Sequence, residues 1–319
     1  MNTELSAIYD DPAEMFPFSP GGKLEHLFNR VRENSLGGFV DFLSIEDQLD
    51  VLEARTLSLL KTSLTESRDA LLALVKRDFN SQTTPMRWCN GIQLKKFGSV
   101  TSDLQDAMRE AAERGVADVT GEFAVRGYRS SISVTPRAAV SAMKDKAFWV
   151  SGVLKQRLID SAQTILMAAI KGGEPLGETM IKLSDIWLPY LGDPTVIVDE
   201  KQLTAPRLET IVRTNTTEAY NMGRLAKLRD PELAPFIKGV RYSAILDSRT
   251  TELCQSLHGM IFKLDNPDLD RLVPPNHFNC RSMIIGVPAF EQTQEKEFAT
   301  QQDIGRALDM IDAGFGGVK

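Results

Sequence analysis

Cysteine and histidine are the residues whose types and spacing in this sequence could support chemistry. The chain contains three of each, and two of each lie within residues 247–281. Their order is Cys254, three residues, His258, an interval of eighteen residues, His277, two residues and Cys280. Thiolate and imidazole groups bind Zn²⁺ tetrahedrally, and paired ligands at the two ends of a loop are typical of such sites. The sequence therefore indicates that these four residues are candidate ligands of one zinc ion.

Short elements are expected to position the first pair of ligands. Residues 240–246 alternate apolar and polar side chains, which predicts a half-buried strand. Thr250 or Thr251 can cap a short helix that ends near His258, because a threonine hydroxyl accepts the free N–H groups of a first turn. Residues four apart are neighbours on a helix surface, so Cys254 and His258 would share one face.

A loop and a second strand are expected to position the other pair. Gly259 would end the short helix, since glycine is the usual residue after a helix C-terminus. Pro274-Pro275 stiffens a loop that carries His277 and Cys280, and residues 282–287 predict a return strand. The four ligands could then converge on one point.

Other interpretations of the four residues stay open. Cys254 and Cys280 could be small core residues, because free cysteine is among the most buried residue types. His258 could complement the dipole of a helix C-terminus or donate a hydrogen bond. A disulfide is a further alternative, although three cysteines without a recognisable signal peptide favour a reducing compartment.

Two arginines flank this segment and are expected to anchor its loops. A guanidinium group matches the geometry of a carboxylate and can donate two parallel hydrogen bonds to it. We therefore expect Arg249 and Arg281 to bind carboxylates such as that of Asp247.

An ordered series of short motifs runs through the C-terminal half. It consists of Arg213-Thr214, the stretch 218–224, Gly239-Val240, and the segments DSRTTELCQSLHG and PPNHFNCRS. The series covers about residues 155–289 and resembles the phage Mu F-like head morphogenesis family, the minor capsid proteins of tailed bacteriophages. Many members carry further cysteines where this chain has Thr251 and Ser282, so two potential ligands are missing here.

The resemblance implies a function in the phage head. It implies a minor head protein that binds at or near the portal vertex and acts in head morphogenesis and in DNA packaging or ejection. The implied partners are the portal protein, with the major capsid protein, a scaffold protein and the packaged DNA as further candidates. The implied location is the virion, after synthesis in the host cytoplasm. Zinc is the one cofactor to which the sequence points.

The composition is that of a globular protein, and it argues against some classes of binding partner. Apolar residues make up 42% and charged residues 25% of the 319 residues, which is ordinary for a soluble protein with room for two domains. No run of apolar residues is long enough for a membrane span. The net charge of −6 argues against general nucleic-acid binding.

The spacing of apolar residues and the positions of glycine and proline predict a mostly helical α+β fold. A helical N-terminal half would be followed by a small α+β C-terminal domain that contains the cysteine–histidine corner. The predicted divisions are an arm at 1–38, a helical domain at 39–135, the Mu F-like domain at 136–289 and a tail at 290–319.

Apolar spacing and capping signals predict individual elements. The predicted helices run from Ser44 to about Asn80, from a capping box at Ser102 and Gln105 to about Val119, from Met180 to Trp187 and from Thr204 to about Arg229, with one or two further helices between Ala138 and Lys171. Residues 195–198 predict a short strand, and Phe298, Ile304, Leu308 and Ile311 have helical spacing in the tail.

The helix predicted at 204–229 is locally basic. The residues that contribute to this basic character include Arg213, Arg224, Lys227 and Arg229. They could contact DNA phosphates, but pairing with acidic neighbours such as Glu209, Glu218 and Asp230 is the favoured interpretation, because charge runs usually form solvated ion pairs.

Two enzymatic alternatives are less favoured than a binding role. A zinc ion with an open position beside Asp247 or Asp265 would resemble a metal-dependent hydrolase. Arg213, Ser248-Arg249-Thr250 and Glu295-Lys296-Glu297 occur in the order that ADP-ribosyltransferases use. Neither pattern is specific, so we expect a protein that is not an enzyme.

Overall fold

A computed structural model describes residues 42–81, 85–94, 96–128, 137–191, 207–294 and 297–311. The described chain is mostly helical with one small antiparallel sheet, which confirms the predicted α+β class. The helices before the sheet are α1 (Phe42–Asp78), α2 (Pro85–Asn90), α3 (Gly98–Val125), α4 (Arg137–Gly172), α5 (Leu176–Asp185), α6 (Leu188–Leu191) and α7 (Arg207–Leu228). The later elements are β1 (Ile237–Ser243), α8 (Glu252–Leu257), β2 (Ile261–Phe262), α9 (Leu269–Leu272), β3 (Met283–Pro288) and α10 (Gln301–Met310).

The described residues belong to two compact units, each assembled from separate stretches of chain. The helical unit takes its residues from 48–116 and 133–226, and the sheet unit takes its later residues from 117–132 and 227–319. Helices α3 and α7 therefore each supply residues to both units. The predicted linear division into an arm, two domains and a tail stays a prediction.

The helical unit has a core of apolar stripes on long helices. Helix α1 buries one face at three- and four-residue intervals, as predicted, and α3 does the same. The buried residues include Leu52, Leu60, Leu64, Leu71 and Val75 on α1, and Leu104, Met108 and Ala111 on α3. Helix α4 is a single helix across residues for which the sequence allowed one or two.

Helix α3 begins earlier than the sequence predicted. It starts at Gly98, so Ser102 lies inside the helix and does not cap its N-terminus, contrary to the predicted capping box. Phe97 and Val100 are each 1% exposed, and burial of these side chains accounts for the early start because it favours order ahead of Ser102. The helix ends at Val125, and Gly127 adopts a positive φ of 87° just beyond it.

Helices α3 and α7 approach each other so closely that only glycine fits at two crossing positions. A Cβ atom on Gly223 would lie 2.0 Å from the carbonyl oxygen of Ala112, and one on Gly115 would lie 2.2 Å from that of Tyr220. Both contacts involve backbone atoms, which cannot rotate away. The two glycines therefore set the distance between the helices.

The sheet unit is built on three antiparallel strands in the order β2-β1-β3. Strand β1 pairs with β3 from Ile237 opposite Pro288 to Ser243 opposite Met283, with an irregularity near its start. Every residue of β3 is buried, whereas β1 alternates in part. The predicted strands at 240–246 and 282–287 are thus confirmed, with boundaries shifted by a few residues.

The tail contains a helix, as its apolar spacing predicted, but this helix begins after Phe298. Helix α10 begins at Gln301 behind a capping box in which Thr300 and Asp303 exchange hydrogen bonds. Phe298 lies before this helix and forms a parallel bridge with Ile261. The capping box ends the extended segment at Thr300, so Phe298 does not share the helical stripe.

Several predicted features lie outside the described residues. They are the arm at 1–38, the strand at 195–198, and Thr204 with Pro206 at the start of the following helix. Among the helices that the structure does describe, none combines the length and apolar character that a membrane crossing requires.

Candidate metal centre

The turn after β1 places the first cysteine of the candidate site. Thr251 caps helix α8, and its hydroxyl accepts a hydrogen bond of 3.3 Å from the N–H of Cys254. Thr250 closes the preceding turn, because its hydroxyl accepts from the N–H of Asp247 at 2.9 Å. The helix ends at Leu257, and Gly259 follows with a φ of 83°. The predicted cap, helix and stop are therefore all present.

A buried ion pair joins this turn to the loop that carries the second cysteine. Arg281 donates two hydrogen bonds to Asp247, at 2.7 and 2.6 Å, as predicted from the shape of the guanidinium group. Arg249 donates its backbone N–H to the same carboxylate at 2.9 Å. Burial opposes ionisation of Asp247, but the bonds from Arg281 and Arg249 lower its pKa to about 2.

Three of the four predicted ligands form one cluster. The Sγ atoms of Cys254 and Cys280 lie 3.8 Å apart, and Nε2 of His277 lies 3.1 Å from Sγ of Cys254. All three ligand atoms lie within 4.8 Å of one another. Cys254 is 2% and Cys280 0% exposed, whereas His277 is half-buried. The cysteines are not joined by a disulfide, because a bonded pair of sulfurs is about 2.05 Å apart.

His258 is not part of this cluster. Its ring Nδ1 accepts a hydrogen bond of 3.1 Å from the backbone N–H of Ala244 at the end of the first strand. His258 is the C-cap of α8 and has a ψ of 126°, so its backbone is no longer helical. The backbone N–H of His258 still bonds to the carbonyl of Cys254, but the hydrogen bond to Ala244 holds the ring at the end of the first strand, so His258 does not join Cys254 as a ligand.

The cluster is surrounded by hydrogen-bond donors aimed at sulfur. The hydroxyl of Tyr242 lies 3.3 Å from Sγ of Cys254, and the hydroxyl of Ser282 also bonds to that sulfur. The sulfur of Cys280 accepts backbone N–H groups from Asn276 and Ser282. Donors of this kind stabilise negative charge on sulfur.

The two thiols influence each other's ionisation in opposite directions. Hydrogen bonding from the Cys280 thiol, with a further bond to His277, lowers the pKa of Cys254. The same contact and complete burial raise the pKa of Cys280. Burial, together with the nearby sulfurs, raises the pKa of Tyr242 well above its ordinary value, so this phenol stays protonated and can donate.

Sequence reasoning missed Asn276 and the part that Tyr242 plays. Asn276 is fully buried and donates from Nδ2 to the hydroxyl of Tyr242 at 3.2 Å and to the carbonyl of Leu272 at 3.0 Å. It thereby ties the loop before His277 to the central strand. An asparagine after two prolines usually signals only a turn, so the sequence carried no sign of this contact.

The basic helix α7 is engaged in ion pairs and buried contacts. Arg213 binds Glu53 at 3.0 Å and Glu209 at 3.5 Å. Three further cations have partners too: Arg224 is fully buried and donates to the hydroxyl of Tyr220, Lys227 pairs with Asp230, and Arg229 pairs with Asp270. Glu218 pairs with Lys146. The favoured pairing interpretation is confirmed for Arg213 with Glu209 and for Lys227 with Asp230.

Comparison with known proteins identifies relatives of the segment that contains this centre. Residues 160–285 match the family model described as Phage Mu protein F like protein. The "Mu-like prophage FluMu F protein" of Haemophilus influenzae is 34% identical over 145 residues, which cover 44% of this chain and 34% of that protein. The "Putative capsid assembly protein F" of Escherichia phage Mu is 34% identical over 120 residues, which cover 36% of this chain and 26% of that protein.

The similarity is confined to part of each chain. This chain spans about a third or less of the length of these curated relatives. No solved structure matches it. The matched segment includes Cys254, His277 and Cys280 and confirms the resemblance derived from the ordered motifs. Residues 160–285 of this chain are thus similar to the Phage Mu protein F like family.

Proposed function

We propose that this chain is a minor head protein of a tailed bacteriophage, bound at or near the portal vertex. It acts in head morphogenesis and in DNA packaging or ejection. The observation that carries the proposal is the family match over residues 160–285, together with the printed name of the phage Mu relative, which refers to capsid assembly. Its expected partner is the portal protein, and its expected location is the virion.

The state of the charged groups supports binding rather than turnover. Arg213, the first residue of the ADP-ribosyltransferase-like pattern, pairs with Glu53 and Glu209. Glu297, from the last part of that pattern, lies 3.5 Å from Arg241. A catalytic group has to be available to its substrate, whereas these groups are held by partners within the protein.

Asp247, one of the two carboxylates considered for a metal-dependent hydrolase, is held in the same way. Its side chain is 1% exposed and receives both hydrogen bonds of Arg281. Its lowered pKa makes it a weak base. This arrangement suits a group that fixes a turn.

The test is to locate the chain within isolated phage particles. Heads and tails from a lysate would be separated, and lysine-directed cross-linking of intact heads would be followed by mass spectrometry. We expect the chain in the head fraction, with cross-links to the portal protein. Its absence from heads would overturn the proposal, and cross-links to the shell protein alone would overturn the portal assignment.

A complementation experiment separates assembly from catalysis. A phage that lacks this gene would be supplied with the wild-type chain or with Glu297→Ala. An assembly protein should restore full heads in both cases, because Glu297 supplies only a partly exposed ion pair with Arg241 and a local hydrogen bond from the N–H of Gln294. Normal incorporation of the Glu297→Ala chain with loss of infectivity would instead indicate a catalytic role.

A further inference from the structure

We infer that Cys254, His277 and Cys280 form a zinc site with three protein ligands, which pins helix α8 to the loop that precedes β3. Cys254 lies on α8, and the other two ligands lie on residues 277–280 of that loop. The site is independent of the proposed phage function, since it rests only on the arrangement of these side chains.

The spacing of the ligand atoms fits a tetrahedral zinc ion. With Zn–S bonds of about 2.3 Å and Zn–N bonds of about 2.0–2.1 Å, tetrahedral geometry places two sulfurs about 3.8 Å apart and a sulfur and a nitrogen about 3.6 Å apart. The observed Sγ–Sγ separation is 3.8 Å, and Sγ of Cys254 lies 3.1 Å from Nε2 of His277. The third separation, from Sγ of Cys280 to Nε2 of His277, is within 4.8 Å, so a small movement of the half-buried His277 ring would complete this face of a tetrahedron.

The hydrogen bond on the other side of the His277 ring orients it as a ligand. Its Nδ1 lies 2.8 Å from the carbonyl oxygen of Phe278. A carbonyl oxygen can only accept, so Nδ1 carries a proton, and in the neutral ring the lone pair is on Nε2, facing the sulfurs. Histidine ligands of metals commonly donate their second N–H to a backbone carbonyl in this way.

The same reasoning excludes His258 as a ligand. Its Nδ1 accepts the N–H of Ala244, so that lone pair is already used. In the neutral ring the proton then lies on Nε2, which has no lone pair to offer. Within the part of the chain that the structure describes, three ligands are therefore available rather than the four that the sequence spacing suggested, and water would complete the coordination.

Burial and hydrogen bonding favour a metal site over a nucleophilic cysteine. Cys254 is only 2% exposed, whereas reactive cysteines are at least partly accessible to their substrates. N–H groups of Asn276 and Ser282 point at the sulfur of Cys280, and hydroxyls of Tyr242 and Ser282 bond to that of Cys254. These donors would share the charge of two thiolates that a bound cation also neutralises. A set of two sulfurs and one imidazole is typical of zinc among the common metals.

The first experiment measures zinc in the full-length protein after purification without chelators and after incubation with zinc followed by desalting. We expect one zinc per chain in the wild type. The variants Cys254→Ser, Cys280→Ser and His277→Ala should each lose it. Cys89→Ser and His258→Ala are matched controls, because Cys89 is a buried cysteine of the helical unit and His258 is the histidine outside the cluster. Both controls should keep their zinc.

Replacement of zinc by Co²⁺ in the wild-type chain gives a readout that does not depend on how well the variants fold. Two thiolates in a tetrahedral site should give sulfur-to-cobalt charge-transfer absorption in the near ultraviolet and intense visible d–d bands. Weak octahedral bands without charge transfer would overturn the site. A wild-type protein that retains no zinc after incubation would also overturn it. Loss of zinc in His258→Ala would overturn the three-ligand set.

Discussion

The helical unit and the sheet unit are stabilised in different ways. The helical unit distributes its stabilisation along apolar stripes on long helices, and its most restrictive point is the crossing of α3 and α7 at Gly115 and Gly223. The sheet unit concentrates polar interactions in the short stretch that contains Asp247, Arg281 and the cysteine–histidine cluster. The first unit should thus be most sensitive to added volume, and the second to the loss of single polar groups.

The largest effect is expected from a methyl group at the helix crossing. In Gly223→Ala the new Cβ would lie 2.0 Å from the carbonyl oxygen of Ala112, so the helices would have to separate. We expect a loss of about 3 kcal/mol or more in the free energy of unfolding. Urea unfolding followed by tryptophan fluorescence would measure it, because Trp88, Trp149 and Trp187 all belong to the helical unit.

A glycine with open space around it provides the control for that change. Gly152 lies in helix α4, and a Cβ there would meet no atom within 4 Å. Gly152→Ala should stabilise the helical unit by about 0.5–1 kcal/mol, because alanine favours helix more than glycine does. Equal effects of the two substitutions would refute the assignment of Gly223 as a packing constraint.

The next largest effect is expected from loss of a single charge in the sheet unit. Asp247→Asn leaves the guanidinium of Arg281, which is 17% exposed, without its carboxylate. We expect a loss of about 2–4 kcal/mol, measured by thermal unfolding and by amide exchange in β1 and α8. Arg249→Ala is the control: that side chain is 69% exposed, and its loss should change stability by no more than about 0.5 kcal/mol. If both variants behaved like the wild type, this ion pair would not hold the turn.

Acid should reproduce part of the same loss without a mutation. The pKa of Asp247 is lowered from 3.8 to about 2 in the folded protein, so its ionised form stabilises the fold above pH 3.8. That contribution disappears as pH falls through about 2. A lowering of the pKa from 3.8 to about 2 corresponds to about 2 kcal/mol of stabilisation. Between pH 4 and 2 the wild type should therefore lose about 2 kcal/mol more than Asp247→Asn does, and parallel pH profiles for the two proteins would contradict the assignment.

The smallest effect is expected from an ion pair in the helical unit. Burial raises the pKa of Glu53 although Arg213 opposes the shift, so Arg213→Ala removes the partner of a partly desolvated carboxylate. We expect a loss of about 1 kcal/mol, against about 0–0.5 kcal/mol for Arg68→Ala, whose partner Asp69 is exposed. Duplex DNA binding at low salt should be the same for both variants. Weaker binding and a shallower salt dependence in Arg213→Ala alone would identify Arg213 as a phosphate contact.

Patterns within a short stretch of sequence predicted the helices well. The stripe from Leu52 to Leu71 predicted α1, and Thr251 with Gly259 predicted the ends of α8. Contacts between distant parts of the chain could not be predicted in this way. Glu53 and Arg213 are 160 residues apart, and no local pattern pairs them.

The candidate centre likewise has features that could be predicted from the sequence and features that could not. The residue types and the Asp247–Arg281 pair were predictable although 34 residues separate the two, because the shape of a guanidinium group matches that of a carboxylate. The departure of His258 was not predictable, since it depends on a hydrogen bond to the ring from the N–H of Ala244, fourteen residues earlier in the chain. No local pattern pairs a histidine with a backbone group at that separation.

Each unit is assembled from separate stretches of the chain, and this limits how residues 160–285, the segment that matches the family model, can be studied in isolation. Residues 160–285 begin inside α4 and stop inside β3, and they omit α3 altogether. An excised fragment would therefore lack Ala112, against which Gly223 packs, as well as the last residues of a fully buried strand. The segment that sequence comparison recognises is thus shorter than the structure against which its residues pack. Internal substitutions in the whole chain keep those contacts, so they suit the mapping of a recognition surface better than an excised fragment does.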